Sequence, residues 1–276
     1  MEATKNTLRQ VIISKRLKLG SSFAEIRSKI ETDSKYAGLK NLCRFRPEEN
    51  ELAYRTEKIY PNRCEHPKRI PILFLFSNPH PDSVACGLFL SEPHSRSFWQ
   101  RLSEINKDYL QFPQGAVNLE HWEESILKLR EIMLKGDYKS PFLLYFHCLY
   151  PIPTSKPKDL RGLFKSAPHI WKEIKVSSNR ELFKLTKNEQ IKHIVVFNVG
   201  VFRTITKTKV KGWGKKDAAE EFLKSGNKER YWGVDSNGAH IYLSLHTRAK
   251  NWKDGKGQYY FTRFLDLIFT RIKETI

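Results

Sequence analysis

Residues 69–80 read RIPILFLFSNPH. The apolar run is unbroken, whereas a strand with one wet face alternates polar and apolar residues. An unbroken run of this length fits a strand covered on both faces. Three more runs have the same character: PFLLYFH at 141–147, KHIVVFN at 192–198 and AHIYLSL at 239–245. Between them lie stretches with helical spacing, notably 119–134 and 215–223, and residues 259–272 read as a closing amphipathic helix. Alternating strands and helices predict an α/β chain: a three-layer αβα fold with a four-stranded, mainly parallel sheet. Residues 1–68 are charged and poor in β-branched clusters, which predicts a helical N-terminal extension ahead of a main domain at 69–276.

In open α/β sheets, ligands bind beyond the carboxyl ends of the strands. The four runs lead into Asn78-Pro79-His80-Pro81, His147-Cys148, Val199-Gly200-Val201 and His246-Thr247-Arg248. An asparagine and two histidines are therefore expected along one sheet edge. No phosphate-loop pattern GxxxxGK[ST] competes, and Gly212-Trp213-Gly214 does not directly follow a strand, as a dinucleotide fingerprint should.

The chain has 276 residues, with 49 Lys and Arg against 30 Asp and Glu, for a net charge of +19. Such a surplus strains the compact state by self-repulsion, and a polyanion is its natural offset, nucleic acid first. No apolar run approaches the roughly 18 residues that span a membrane, and the start MEATKNTLRQVIISKRLKLG is not a secretory signal. A soluble, intracellular monomer of the cytoplasm is the expectation. Cys43, Cys64, Cys86 and Cys148 lack CxxC spacing, so unligated thiols are expected and no cofactor.

The segment FSNPHPDSVACGLFLSEPHSRSFWQRL, residues 76–102, carries the most specific pattern. It resembles the first motif of the mismatch-specific uracil/thymine glycosylases, roughly GxNPG, a Gly, PFAxP and FW. Asn78-Pro79 match NP, Gly87 falls nine residues after Asn78 as in the family, Pro93 keeps its place, and Phe98-Trp99 match FW with one residue inserted. Phe76 and His80 stand where that family has glycines. SLHTRAKNW at 244–252 is similar to the HPS-type motif after the last strand, with His246 as its histidine. LYFHCLYPIPTSKP at 144–157 is similar to the NHCP segment of the single-strand-selective uracil glycosylases, with Phe146 in place of the asparagine that reads uracil. VVFNVGVFRT places Gly200 at the family glycine after the third strand. Together these cover residues 70 to about 275 in family order and identify a resemblance to the uracil-DNA glycosylase superfamily. One bacterial branch of it holds an iron–sulfur cluster on four cysteines, but here Cys86 and Cys148 fall in segments with other roles.

The resemblance implies hydrolysis of an N-glycosidic bond in DNA, with Asn78 and His246 as the catalytic pair. Bond cleavage builds positive charge on the sugar and negative charge on the departing base. Asn78 can hold a water through its amide oxygen, and His246 can donate to the base. The target base must first leave the stack. His80, Phe89 (with Leu90 as rival), Phe146, His147 and Asn198 are the expected base-binding set. Arg248, Lys250, Trp252 and Lys253 form an expected DNA-binding loop, with the tryptophan as a wedge between phosphate clamps. Losing the uracil-reading asparagine and placing His80 near C5 open an alternative substrate: a hydroxymethylated or glucosylated cytosine, removed from viral DNA in defence. Two other readings stay open: a catalytically inactive nucleic-acid binder of the same fold, and a nucleoside-processing enzyme. The charge disfavours the last.

Overall fold

A computed structural model describes residues 11–208, 210, 220–221, 223, 232–234, 238–245 and 252–275. The N-terminal part holds β1 (Ile12–Lys18), α1 (Phe23–Thr32), α2 (Ala37–Lys40), β2 (Cys43–Arg46) and β3 (Glu51–Glu57). Next come β4 (Ile70–Phe76), α3 (Pro81–Cys86), α4 (Ser97–Ser103), α5 (Trp122–Lys135) and β5 (Phe142–Cys148). The chain continues through α6 (Pro157–Leu163), α7 (Pro168–Asn188), β6 (His193–Val196) and α8 (Val199–Thr206). It ends with β7 (Trp232–Val234), β8 (His240–Leu243) and α9 (Tyr260–Glu274).

The main sheet has the order β5-β4-β6-β8-β7. The four strands expected from the apolar runs are parallel, and β7 adds a fifth, antiparallel to β8 at the edge. Both faces are covered, which is why the runs do not alternate. On one face Phe74 and Phe146 meet Phe269 of α9 and Phe98 of α4. On the other, the Tyr145 hydroxyl donates to Glu189 just past α7 (2.9 Å). The result is a three-layer αβα fold. Helix α9 closes the first layer with Phe261, Phe264, Leu265, Ile268, Phe269 and Ile272 buried at three- and four-residue spacing. The helix expected at 119–134 is α5, and the one expected at 215–223 lies almost wholly outside the described residues.

Pro71 sits in β4, an interior strand, without breaking it. Ile70 N–H donates to Pro141 on the β5 side, so position 71 faces β6. The β6 ladder begins only at Ile72, and proline's missing N–H leaves no gap in the ladder.

The expectation of a helical N-terminal extension is corrected. This segment contains a three-stranded antiparallel sheet, β1-β3-β2, alongside its helices. Lys, Arg and Glu in β1 and β3 are good helix formers, but cross-strand pairing and half-burial override that preference. The segment also shares a core with later elements. Ile26, Ile30, Leu39 and Leu52 pack with Ile152, Leu160, Phe164 and Ile170 from the β5–α7 region. Ile59 and Phe146 exchange two backbone hydrogen bonds (3.0 and 2.9 Å), capping the free edge of β5. Among the described residues, no helix is long and apolar enough to cross a membrane.

Candidate active site

The strand order reverses at β4, with β5 on one side and β6 on the other, the place where α/β folds open a ligand crevice. A cavity of about 480 Å³ lies there. Its lining includes Asn78 and His80 after β4, Asn198 after β6, and Phe89 and Leu90 from the α3–α4 connection.

Asn78 is locked by its nitrogen. Nδ2 donates to the Thr154 carbonyl (2.8 Å), to Thr154 Oγ1 (2.9 Å) and to the Pro79 carbonyl (3.2 Å). Carbonyl oxygens only accept, so the amide orientation is unambiguous. Thr154 spends its own proton on the Lys156 carbonyl (3.0 Å), which leaves its oxygen free to accept. Among the described residues, Asn78 Oδ1 has no hydrogen-bond partner. Its loop is tied down by Thr154 N–H to the Pro79 carbonyl (3.1 Å) and Tyr150 N–H to the Ser77 carbonyl (2.8 Å).

Asn198 is the converse. Its Oδ1 caps α8 by accepting from Gly200 N–H (2.8 Å) and Val201 N–H (3.2 Å). Among the described residues, its Nδ2, a donor, has no hydrogen-bond partner. A Cβ at Gly200 would lie 3.0 Å from Asn198 Oδ1, so the glycine protects the cap. Both asparagines line the cavity, one with its amide nitrogen engaged and the other with its amide oxygen engaged.

His80 caps α3, its Nδ1 accepting from Asp82 N–H (3.3 Å). Asp82 Oδ2 lies 3.7 Å from the same nitrogen, which leaves Nε2 as the ring nitrogen without a contact to Asp82. Gly87 ends the same helix at φ +74°, a left-handed C-cap that suits glycine. Phe76, Phe89 and Phe197 form an aromatic wall, with Phe76 and Phe197 stacked at 5.0 Å and 8°. Trp99 Nε1 donates to the Phe89 carbonyl (2.7 Å), so the FW pair is buried support for that wall.

Two expected base-binding residues are corrected. Phe146 is fully buried behind the wall, against Phe76 at 6.0 Å and Trp99 at 5.4 Å, and does not line the cavity. His147 projects to the opposite face of β5, where its Nδ1 meets the Tyr60 hydroxyl (2.8 Å). Burial pulls its pKa down to about 4 and keeps it neutral. Side chains alternate along a strand, so Cys148 reaches the cavity while its neighbour cannot.

His246, Arg248 and Lys250 lie outside the described residues. Trp252 is half-buried against the main core, and its carbonyl accepts from Tyr260 N–H (2.9 Å). Lys253 is exposed, with Nζ 4.7 Å from the Tyr259 ring centre.

The lining also holds residues that sequence reasoning missed: Thr154, exposed Lys156 and Lys158, and two buried carboxyls, Glu57 and Glu92. Glu92 accepts from Ser83 Oγ (2.7 Å). Glu57 Oε2 is buried, with no hydrogen-bond partner among the described residues. Burial first, and the charge of Glu92 second, push the Glu57 carboxyl well above the usual range. Glu92 stands within the FLSEPHS segment and was open to notice, whereas Glu57, at the end of β3, carries no motif. Among the described residues, no group of three His, Cys, Asp or Glu is placed to hold a metal ion. The chain matches no protein-family model, and a search of curated proteins finds no match.

Proposed function

We propose that the protein is a DNA glycosylase that hydrolyses the N-glycosidic bond of a flipped-out pyrimidine and leaves an abasic site. The observation that carries this is the locked amide of Asn78. Three acceptors fix its nitrogen and leave Oδ1 without a partner among the described residues, at a cavity of about 480 Å³ walled by phenylalanines. That volume is in the range of small-ligand sites, and the apolar wall suits a base taken out of the stack.

In this reading Asn78 Oδ1 holds the attacking water. An oxocarbenium-like sugar needs a positioned nucleophile more than a strong base. Asn198 Nδ2 donates to the base, and His246 supplies a further donor as negative charge develops there. Exposed Lys156 and Lys158 flank the opening and can pair with phosphates, consistent with the charge of +19. His80 Nε2 suits a polar substituent at C5, the feature that favours a modified cytosine and a defence role.

The test is incubation with DNAs that carry uracil, cytosine or 5-hydroxymethylcytosine, with mass spectrometry of released bases. Base release, reduced on the order of 100- to 1,000-fold in Asn78→Ala, is the expected result. DNA binding without release of any base would favour the inactive-binder reading.

A further inference from the structure

We propose that Glu57 and Glu92 together read the amino-bearing edge of a cytosine-type base in the cavity. The proposal rests on the reading of this cavity as a base pocket and names the base class it takes.

The two carboxyls come from distant parts of the chain, one ending β3 and the other between α3 and α4, yet they line the same cavity. They are 3% and 8% exposed, respectively. Among the described residues, no lysine or arginine forms an ion pair with either one. Ser83 Oγ donates to Glu92 (2.7 Å), a bond that suits a carboxylate. Among the described residues Glu57 Oε2 has no hydrogen-bond partner, although burial makes an unmet polar atom costly. A ligand group is the partner such an atom lacks.

Two buried carboxyls that line one cavity without a cation make each other's ionisation costlier. The other titratable groups that interact with Glu57 are the thiols of Cys86 on α3 and Cys148 on β5. Around the same lining stand His80, Lys156 and Lys158. The charge of Glu92 and burial both favour the proton on Glu57.

Such a pair presents one O–H donor beside an acceptor-only carboxylate. Cytosine offers the complement: a lone pair on N3 and hydrogens on N4. The Glu57 acid donates to N3, and the Glu92 carboxylate accepts from N4. Uracil presents the reverse, with N–H at N3 and lone pairs on O4, and to match it the proton would have to move from Glu57 to Glu92, against the burial and charge that favour it on Glu57. A site with paired polar groups rejects a mismatched ligand far more strongly than an apolar pocket does. The fixed acid and carboxylate thus supply discrimination that Phe146, buried behind the wall, does not.

The experiment uses the full chain and two readouts. Calorimetric titration measures binding of free cytosine, 5-hydroxymethylcytosine and uracil between pH 6 and pH 9, and the base-release assay on DNA runs in parallel. Wild type is expected to prefer the cytosine-type bases by on the order of 10-fold or more, with the preference declining as rising pH removes the Glu57 proton. Glu57→Gln keeps an N–H donor and a carbonyl in nearly the same shape. It is expected to keep the preference and lose the decline. Glu57→Leu is expected to lose the preference, with circular dichroism checking its fold. Should that variant not fold, the pH profile of Glu57→Gln decides. Uracil bound as well as cytosine, or identical pH profiles for wild type and Glu57→Gln, would overturn the proposal. Preferential release of uracil from DNA would overturn it while leaving the glycosylase reading intact. Glu57-dependent binding of cytosine without release of any base would support it and sink the glycosylase reading instead.

Discussion

Lowering the pH from 7.5 to 5 is expected to destabilise the protein through His147, and His147→Gln is expected to remove that part of the loss. The ring is 5% exposed, and its Nδ1 meets the Tyr60 hydroxyl at 2.8 Å. Burial is the main cause of its depressed pKa of about 4, against an ordinary 6.5; nearby Lys15 and Lys58 also lower it, and Glu181 partly offsets them. Between these two values the unfolded chain binds a proton that the folded chain refuses. Stability from this group is therefore fully present above pH 6.5 and is lost as pH falls toward 4. At about 1.36 kcal/mol per pH unit the complete effect is about 3.4 kcal/mol, of which about 2 kcal/mol is lost by pH 5. Glutamine retains a hydrogen-bonding group for Tyr60 and cannot titrate. Urea unfolding of both proteins at pH 7.5 and pH 5 reads the difference. Wild type should lose about 2 kcal/mol more than the variant, and parallel losses would refute the reasoning. The variant should also release base at the wild-type rate at pH 7.5. A 100-fold fall would return His147 to the active site.

Phe146→Asn is expected to lower stability by roughly 3–5 kcal/mol through lost packing, with a further cost for the buried amide, and not to raise uracil release; a melting curve and the base-release assay decide. Thr154→Val removes an acceptor that locks Asn78 while keeping the shape, so kcat should fall by roughly 3- to 10-fold with little change in KM; an unchanged kcat would show that the lock is unnecessary. The Lys156→Ala/Lys158→Ala double variant should flatten the slope of log affinity for DNA against log salt by roughly one per lysine, measured by fluorescence anisotropy.

The sheet was legible because parallel strands covered on both faces must be apolar throughout, and each of the four runs became a parallel strand. The same property hid which way β5 points. When both faces are buried the pattern carries no phase, and Phe146, His147 and Cys148 cannot be assigned to sides. Asn78 and Asn198 could be placed near the cavity because they end apolar strand runs, and His80 and Phe89 because they fall in the segment that resembles a glycosylase motif; all four line it. Short β7 has no such run, and β1 to β3 are rich in residues that favour helices in isolation. Glu57 was invisible for another reason: it reaches the cavity through a core shared by β3 and elements about a hundred residues later.

That shared core sets an order of assembly. The N-terminal sheet leaves the ribosome first, but Ile152, Leu160, Phe164 and Ile170, against which its layer packs, are made long afterwards. Contacts so distant along the chain form slowly, because a large loop must close before they contribute. Until then β1 to β3 expose their apolar face, and the cavity lacks the wall that carries Glu57. A binding-competent pocket therefore arises only with the last stages of folding. Chains trimmed ahead of β4 would carry Asn78 and the phenylalanine wall without the Glu57 carboxyl.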